Sequence, residues 1–342
     1  MLATVGFAQS TLVATLSHEG NISTYFGTRA LIEAHSAAVD GDVITLSSGS
    51  FVPVNITKAV TIHGAGMKVD SILGTPPTII TGDFSISIAD NGTDRLTLEG
   101  IYHNATITYK DTLINPSFVK CRFSNFLPAS TDDYFYLINA SFTHCKIASS
   151  LVLNYGSSAS CNNCVITNPY SGQGYGSYEI TNCAIFLTKK GSTIYTENGS
   201  SVDVSGTPNG IKHSSLNNCI IYVKETNTGY GLEKFPSSTT LYNNVSNYSG
   251  AFTNSPNATN KVAEMNSLFL NYTTAVDNSD YTLTEEAART YLGTDGSQVG
   301  IYGGIYPFDP VPTNLRVTRC NVASQSSPEG TLSVDIEVNG GQ

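Results

Sequence analysis

The chain has 342 residues, of which 13% are charged, with a formal net charge of −10 and a pI near 5. So few charges, together with abundant Ser, Thr, Asn and Gly, speak against a helical bundle or coiled coil and for a β-rich chain with many turns. The acidic balance offers no basic face for phosphate, so nucleic acid and anionic membrane surfaces are not expected as partners.

The opening "MLATVGFAQS" is apolar, lacks a basic start and carries a small-residue cleavage pattern at Gly6-Phe7-Ala8. Residues 1–8 are therefore read as a signal-peptide remnant. Export to the periplasm, the cell surface or the medium is the expectation that follows. Hydrophobic residues make up 40% of the chain, enough to bury a core. No later stretch is apolar over the ~20 residues that a transmembrane helix needs. Residues 28–40 place Leu31, Ile32, His35 and Val39 on one face of a helix that stops at Gly41. This helix is expected to cap a stack that begins with "DVITLSSGSFV" (42–52) and "AVTIHGAG" (59–66).

The middle of the chain repeats itself. Aligned on cysteine, "SFVKCRF" (117–123), "SFTHCKI" (141–147), "SCNNCVI" (160–166), "EITNCAI" (179–185) and "SLNNCII" (215–221) share their columns. "LTLEGIY" (96–102) joins them with Gly100 in the Cys column. A repeat of about 20 residues signals a solenoid, and the wider gap between Cys183 and Cys219 has room for two short coils. Phe123, Ile147, Ile166, Ile185 and Ile221 lie two residues after the Cys column and form an inward column at strand period. Phe118, Phe142, Cys161, Ile180 and Leu216 lie three residues before it. A straight strand cannot point both sets the same way, so the chain must bend between them. Asn163, Asn182 and Asn218 stand at that bend, and Asn tolerates the left-handed backbone it needs. The cysteines are expected to be small buried hydrophobes rather than disulfides or metal ligands, because parallel Cβ vectors on neighbouring rungs suit disulfide geometry poorly. "CNNC" (161–164) has no second pair to complete a zinc site.

Towards the end, "TLTEEAARTYLG" (282–293) reads as a short helix with a capping box from Thr282 to Glu285. Residues 310–342 hold one clear strand, "TLSVDIEV" (331–338), and form a β tail. The solenoid with its caps is assigned to residues 9–309.

On these segments, and on the closing "DYTLTEEAARTYLGTDGSQVGIYGG" (280–304), the chain resembles the right-handed parallel β-helix, or pectin-lyase-like, superfamily. The end segments are similar to those of exported β-helix proteins of gut Bacteroidetes. The resemblance implies three sheets along a solenoid, with binding or cleavage of polysaccharide as its usual function. The catalytic motifs of polygalacturonase-type hydrolases are missing apart from Asp132-Asp133. "DTL" (111–113) resembles pectin methylesterases without their later Asp segments. Neither activity carries over.

One surface stands out in so acidic a chain. Lys120 and Arg122 flank one Cys, and His144 and Lys146 flank the next, so neighbouring coils would bring the four together. β-Elimination of a uronate polymer needs a cation for the carboxylate and a base for the adjacent proton. Arg122 is the candidate cation, Lys146 or His144 the candidate base, and Lys120 a substrate contact. Asp132 and Asp133 are the pair that would hold a calcium ion, with Tyr134 beside them as a candidate substrate contact. Tyr170 and Tyr175, around "GQGYGSY" (172–178), are candidates for stacking on sugars, as is Tyr178, while packing against the body is the alternative for this group. Asp277 and Asp280 are expected to close a turn. The competing reading of the basic residues is surface charge that blocks edge pairing, and a third is a groove that binds anions without catalysis. Two classes of function remain: a non-catalytic glycan-binding or cell-surface structural protein, and a polysaccharide lyase acting on an acidic glycan.

Overall fold

The computed structural model describes residues 12–70, 74–89, 95–130, 135–171, 176–188, 192–195, 201–204, 206–224, 234–254, 259–273, 279–313, 316–322, 330–331 and 334–339. Residues 1–8, Asp132, Asp133, Tyr134, Tyr175 and Asp277 lie outside them.

Two long sheets dominate, one of 11 strands and one of 13, and helices are few. In the first sheet, strands from Val43–Leu46 to Thr240–Tyr242 follow one another in parallel. Ile44, Ile62, Leu98, Phe118, Phe142, Cys161, Ile180, Leu216 and Leu241 share one register position and are all buried. In the second sheet, Phe123, Ile147, Ile166, Ile185 and Ile221 do the same. Strands of successive repeats pair side by side in both sheets, an arrangement that fits a parallel β-helix.

Between the two sheets each coil turns on one left-handed residue: Gly100 (φ 66°), Lys120 (51°), His144 (53°), Asn163 (50°), Asn182 (52°) and Asn218 (57°). The bend predicted from Asn is therefore present in the Lys and His coils as well. The register pairs Leu98 with Phe118 and Tyr102 with Arg122. Gly100 thus belongs in the bend column and Ile101 in the Cys column, one place from the sequence alignment. The reason is conformational, since glycine takes the left-handed position without a Cβ clash.

The six described cysteines are free and buried. Each of the five column thiols lies 3.1–3.4 Å from the carbonyl two residues before it. A carbonyl of the preceding coil is also near, at 3.2–3.6 Å. Burial pushes the Cys121 thiol up to about 12, and raises Cys145 and Cys183 well above the ordinary range. Such thiols are inert, structural groups.

Other expectations are corrected. The span between Cys183 and Cys219 holds no further coil, because Ala184–Leu187 pairs directly with Ile220–Val223. Part of it is an excursion with an antiparallel pair, Ser192–Tyr195 against Ser201–Val204. Of the three sheets expected, the described residues show two long ones, with Leu113–Ile114 pairing Leu137–Ile138 as a separate two-stranded sheet. Arg122–Pro128 and Lys146–Val152 pass through an irregularity between Phe123 and Asn125 and stay in one sheet. The tail has a second strand, Arg316–Val322, antiparallel to Val334–Asn339.

The N-terminal helix is Ala30–Ala37 and buries Ala30, Leu31, Ala34 and His35, while Val39 lies beyond it, 50% exposed. The Lys58 ammonium closes its C-terminal end by donating to the carbonyls of His35, Ser36 and Ala38 at 2.6–2.8 Å, a favourable site for a cation. Beside the helix, an antiparallel hairpin, Val13–His18 with Asn21–Phe26, covers the edge of Val43–Leu46. Its two-residue turn is Glu19 (φ 48°) and Gly20 (φ 82°), left-handed positions of which glycine takes one without strain. The later helix, Glu285–Thr290, is capped by Thr284, whose hydroxyl accepts from the Ala287 N–H at 3.2 Å, and not by Thr282. It lies over the outer face of the second sheet, in one apolar cluster with Val165, Ala184, Ile220 and Val245.

Candidate anion-binding site

The outward position of the second sheet carries Tyr102, Arg122 and Lys146 in register, followed by Val165, Ala184, Ile220 and Val245. Strand alternation brings this about, because each outward residue sits next to an inward one of the core. The apolar run is covered by Met265, Leu268, Phe269, Ile301 and their neighbours. The basic run instead lines a cavity of about 290 Å³, closed on its other side by Met67, Lys68, Val69 and Pro77.

Within the cavity the Arg122 guanidinium lies over the Tyr102 ring, 4.9 Å from its centroid. Nη1 donates to the His103 carbonyl at 3.2 Å and to the Ser124 hydroxyl at 3.0 Å. Arg122 is only 7% exposed, so the planar group is held in one orientation. The Lys146 ammonium lies 5.6 Å from the centroid of the Tyr281 ring. Three cations, Lys68, Arg122 and Lys146, line the cavity, and no carboxylate does among its described lining residues. In a chain of net charge −10 this is a local reversal of sign, and low-dielectric walls concentrate its field.

Lys120 and His144 face elsewhere. As corner residues they meet residues 293–313, which cross the bends in the reverse direction as a strap. Lys120, 4% exposed, donates to Asp309 Oδ2 at 2.9 Å and to the Val311 carbonyl at 2.6 Å. His144 Nε2 lies 3.1 Å from the Tyr306 carbonyl and Nδ1 3.4 Å from the Asp309 N–H. With Nε2 donating and Nδ1 accepting, the ring satisfies both contacts. The same pattern continues along the ladder. Asn163 Nδ2 donates to the carbonyls of Ile301 and Gly303, both at 2.8 Å. Asn218 Oδ1 accepts from Thr294 N at 3.1 Å. At the far end Glu99 accepts from Thr313 N at 2.7 Å and pairs with His63 at 3.0 Å. Burial opposes ionisation of Glu99, but the hydrogen bonds from His63 and Thr313 outweigh it and bring the carboxyl down to about 2.

The four cations expected on one surface are thus divided. Arg122 and Lys146 meet in the cavity, while Lys120 and His144 are anchors of the strap. Both ring nitrogens of His144 face strap backbone. Tyr170 packs against Leu127 and Val152. Tyr178 is buried, and its hydroxyl donates to the carbonyls of Leu151 and Tyr170 at 2.8 and 3.1 Å. Asp280 closes a turn by accepting from Thr282 N. Among the described residues no group of three His, Cys, Asp or Glu comes together as a metal site. Lys68 and Tyr102 belong to the site without having been singled out by the sequence. Placing Gly100 in the bend column sets Tyr102 beside Arg122, so that signal is in the repeat. Lys68 lies on a loop outside the repeat and has no such signal. Comparison with family models, with curated proteins and with solved structures gave no match.

Proposed function

We propose that this chain is an exported, carbohydrate-associated protein with a right-handed, pectin-lyase-like β-helix, and that it binds an acidic glycan without cleaving it. The observation that carries the reading is the cavity with Lys68, Arg122 and Lys146 on its walls. A guanidinium held flat by an aromatic ring and two acceptors is preorganised for a carboxylate, which it meets with a planar fork of donors. A cavity of about 290 Å³ sits at the small end of ligand sites, so it suits one anionic ring or a chain end better than a long polymer. Right-handedness follows from the general rule for parallel crossovers.

The test is retention on immobilised acidic polysaccharides, with and without calcium. Wild type is expected to be retained, and Arg122→Gln with Lys146→Gln to pass through while keeping its fold by circular dichroism. Equal retention of both proteins would remove the cavity from consideration. The lyase reading draws on the register that pairs Lys146 with Arg122 on neighbouring strands. It predicts ultraviolet absorbance from unsaturated products on uronate polymers, lost in Arg122→Gln.

A further inference from the structure

The ends of the two long sheets are guarded unequally. The first sheet finishes on Thr240–Tyr242, and the second runs from Gly49–Phe51 to Lys261–Val262. Strands this short give another chain little to pair with. The first sheet begins instead on Asn21–Phe26, six residues long, whose one pairing partner among the described residues is Val13–His18. Its sequence, NISTYF, has no charge and no proline, and its register runs without a bulge. Charge, proline and bulge, the usual guards of an open edge, are all missing.

The backbone phase of this edge follows from one bond. The Gly27 N–H donates to the Leu12 carbonyl at 2.9 Å. Hydrogen-bonded and non-hydrogen-bonded pairs alternate along an antiparallel ladder. Tyr25, Ser23 and Asn21 therefore bond to Val13–His18, while the N–H and C=O groups of Phe26, Thr24 and Ile22 point to the open edge. The side chains of these three also share the outer face, because Ala14 and Leu16, opposite Tyr25 and Ser23, are buried. Ile22 is 72% and Phe26 50% exposed.

The strand is complementary to itself. With a two-fold axis at Thr24, an antiparallel copy sets Ile22 opposite Phe26 of the second copy on both sides of a central Thr24–Thr24 pair. Aromatic with β-branched and Thr with Thr are favourable cross-strand combinations. A slip of two residues would shorten the ladder and set Phe26 opposite Gly20. Charge selects the same orientation. Glu19, in the turn before the strand, and Arg29, beyond its end, are both exposed. An antiparallel copy brings each Glu19 towards Arg29 of the other, whereas a parallel copy sets like charges together.

We infer that Asn21–Phe26 is a dimerisation edge, at which a second copy of this chain pairs antiparallel about Thr24 and joins the first sheets of two solenoids. The contact is isologous, so it closes at two copies. Its small area places it among weak, reversible interfaces.

The test is sedimentation velocity of the full chain from about 1 to 300 µM, a range suited to a weak interface, where monomer is expected to pass into dimer. Thr24→Pro is expected to stay monomeric with unchanged circular dichroism, because the N–H it removes faces the open edge. Glu19→Arg is expected to weaken the dimer about tenfold by making both charge contacts repulsive, and Glu19→Arg with Arg29→Glu to restore it. Oxidative cross-linking reads the register. Thr24→Cys is expected to cross-link, its copies lying about 5.5 Å apart. Ile22→Cys is expected not to, since its copies lie about 13 Å apart. Monomer at every concentration would overturn the inference. So would a dimer that persists in Thr24→Pro, a charge swap that does not restore pairing, or cross-linking of Ile22→Cys in preference to Thr24→Cys.

Discussion

The outer face of the second sheet is one column of side chains with two fates. In its first part, Tyr102, Arg122 and Lys146 border a cavity, and in its second, Val165, Ala184, Ile220 and Val245 are buried beneath the C-terminal segment. The backbone is the same in both, with parallel strands in continuous register. Side-chain chemistry and the segment lying against each part separate them. Apolar residues in an outward column signal that something covers them, because a sheet face left in water normally alternates towards polar residues. The cations in the same column line a cavity instead.

The corner ladder makes the same point in another way. Gly100, Lys120, His144, Asn163, Asn182 and Asn218 occupy equivalent left-handed positions. Where a side chain is present at these corners it meets the strap more often than solvent. A Lys and a His that look like surface cations therefore serve as hydrogen donors to backbone carbonyls and Asp309.

The contrast between the covered and open parts of the column can be broken most directly in the covered part. Ile220→Ala removes a side chain that is 2% exposed beneath the segment and should cost about 3 kcal/mol, measured by urea unfolding. A cost below ~1 kcal/mol would mean that the segment contributes little to folding. The next effect is acid lability at the far end of the strap. The Glu99 carboxyl titrates at about 2 when folded, against 4.5 ordinarily. A depressed acid stabilises the fold above its ordinary value, and that stability is lost as pH falls from about 4.5 to 2. Glu99→Gln should therefore be less stable than wild type by roughly 2 kcal/mol at pH 6, with the gap closing near pH 2. A gap independent of pH would dismiss ionisation of Glu99 as its source.

Lys120→Met should be milder, about 1–2 kcal/mol, because it removes two charge-assisted hydrogen bonds but leaves Asp309 partly exposed to water. Faster protease cleavage between residues 300 and 313 is the accompanying readout. The smallest effect on stability is expected in the open part. Lys68→Ala with Lys146→Ala should change unfolding by less than ~1 kcal/mol while weakening retention on acidic polysaccharide. A large loss of stability would make these lysines props of the loop over the cavity.

Much of the repeat is legible in the amino-acid sequence. Its period, the two inward columns, the Asn bend and the buried position of the cysteines all follow from alternation at period two interrupted by one left-handed residue. The Gly100 coil falls one position out when glycine is aligned by its small size and not by its backbone freedom. The wide gap before Cys219 misleads because spacing by itself does not separate an extra coil from an excursion.

The sequence by itself determined that successive coils stack, which residues point inward, and where each coil turns, since all of these depend on local alternation and on backbone conformations that few residues tolerate. Only the tertiary structure decided which outward residues meet solvent. The strap joins residues such as Lys120 and Asp309, 189 positions apart, and the loop of Lys68 closes over Arg122 and Lys146 from outside the repeat. Contacts of that separation leave no periodic trace in the chain. They therefore decided that Arg122 and Lys146 line a cavity while Lys120 and His144 contact the strap.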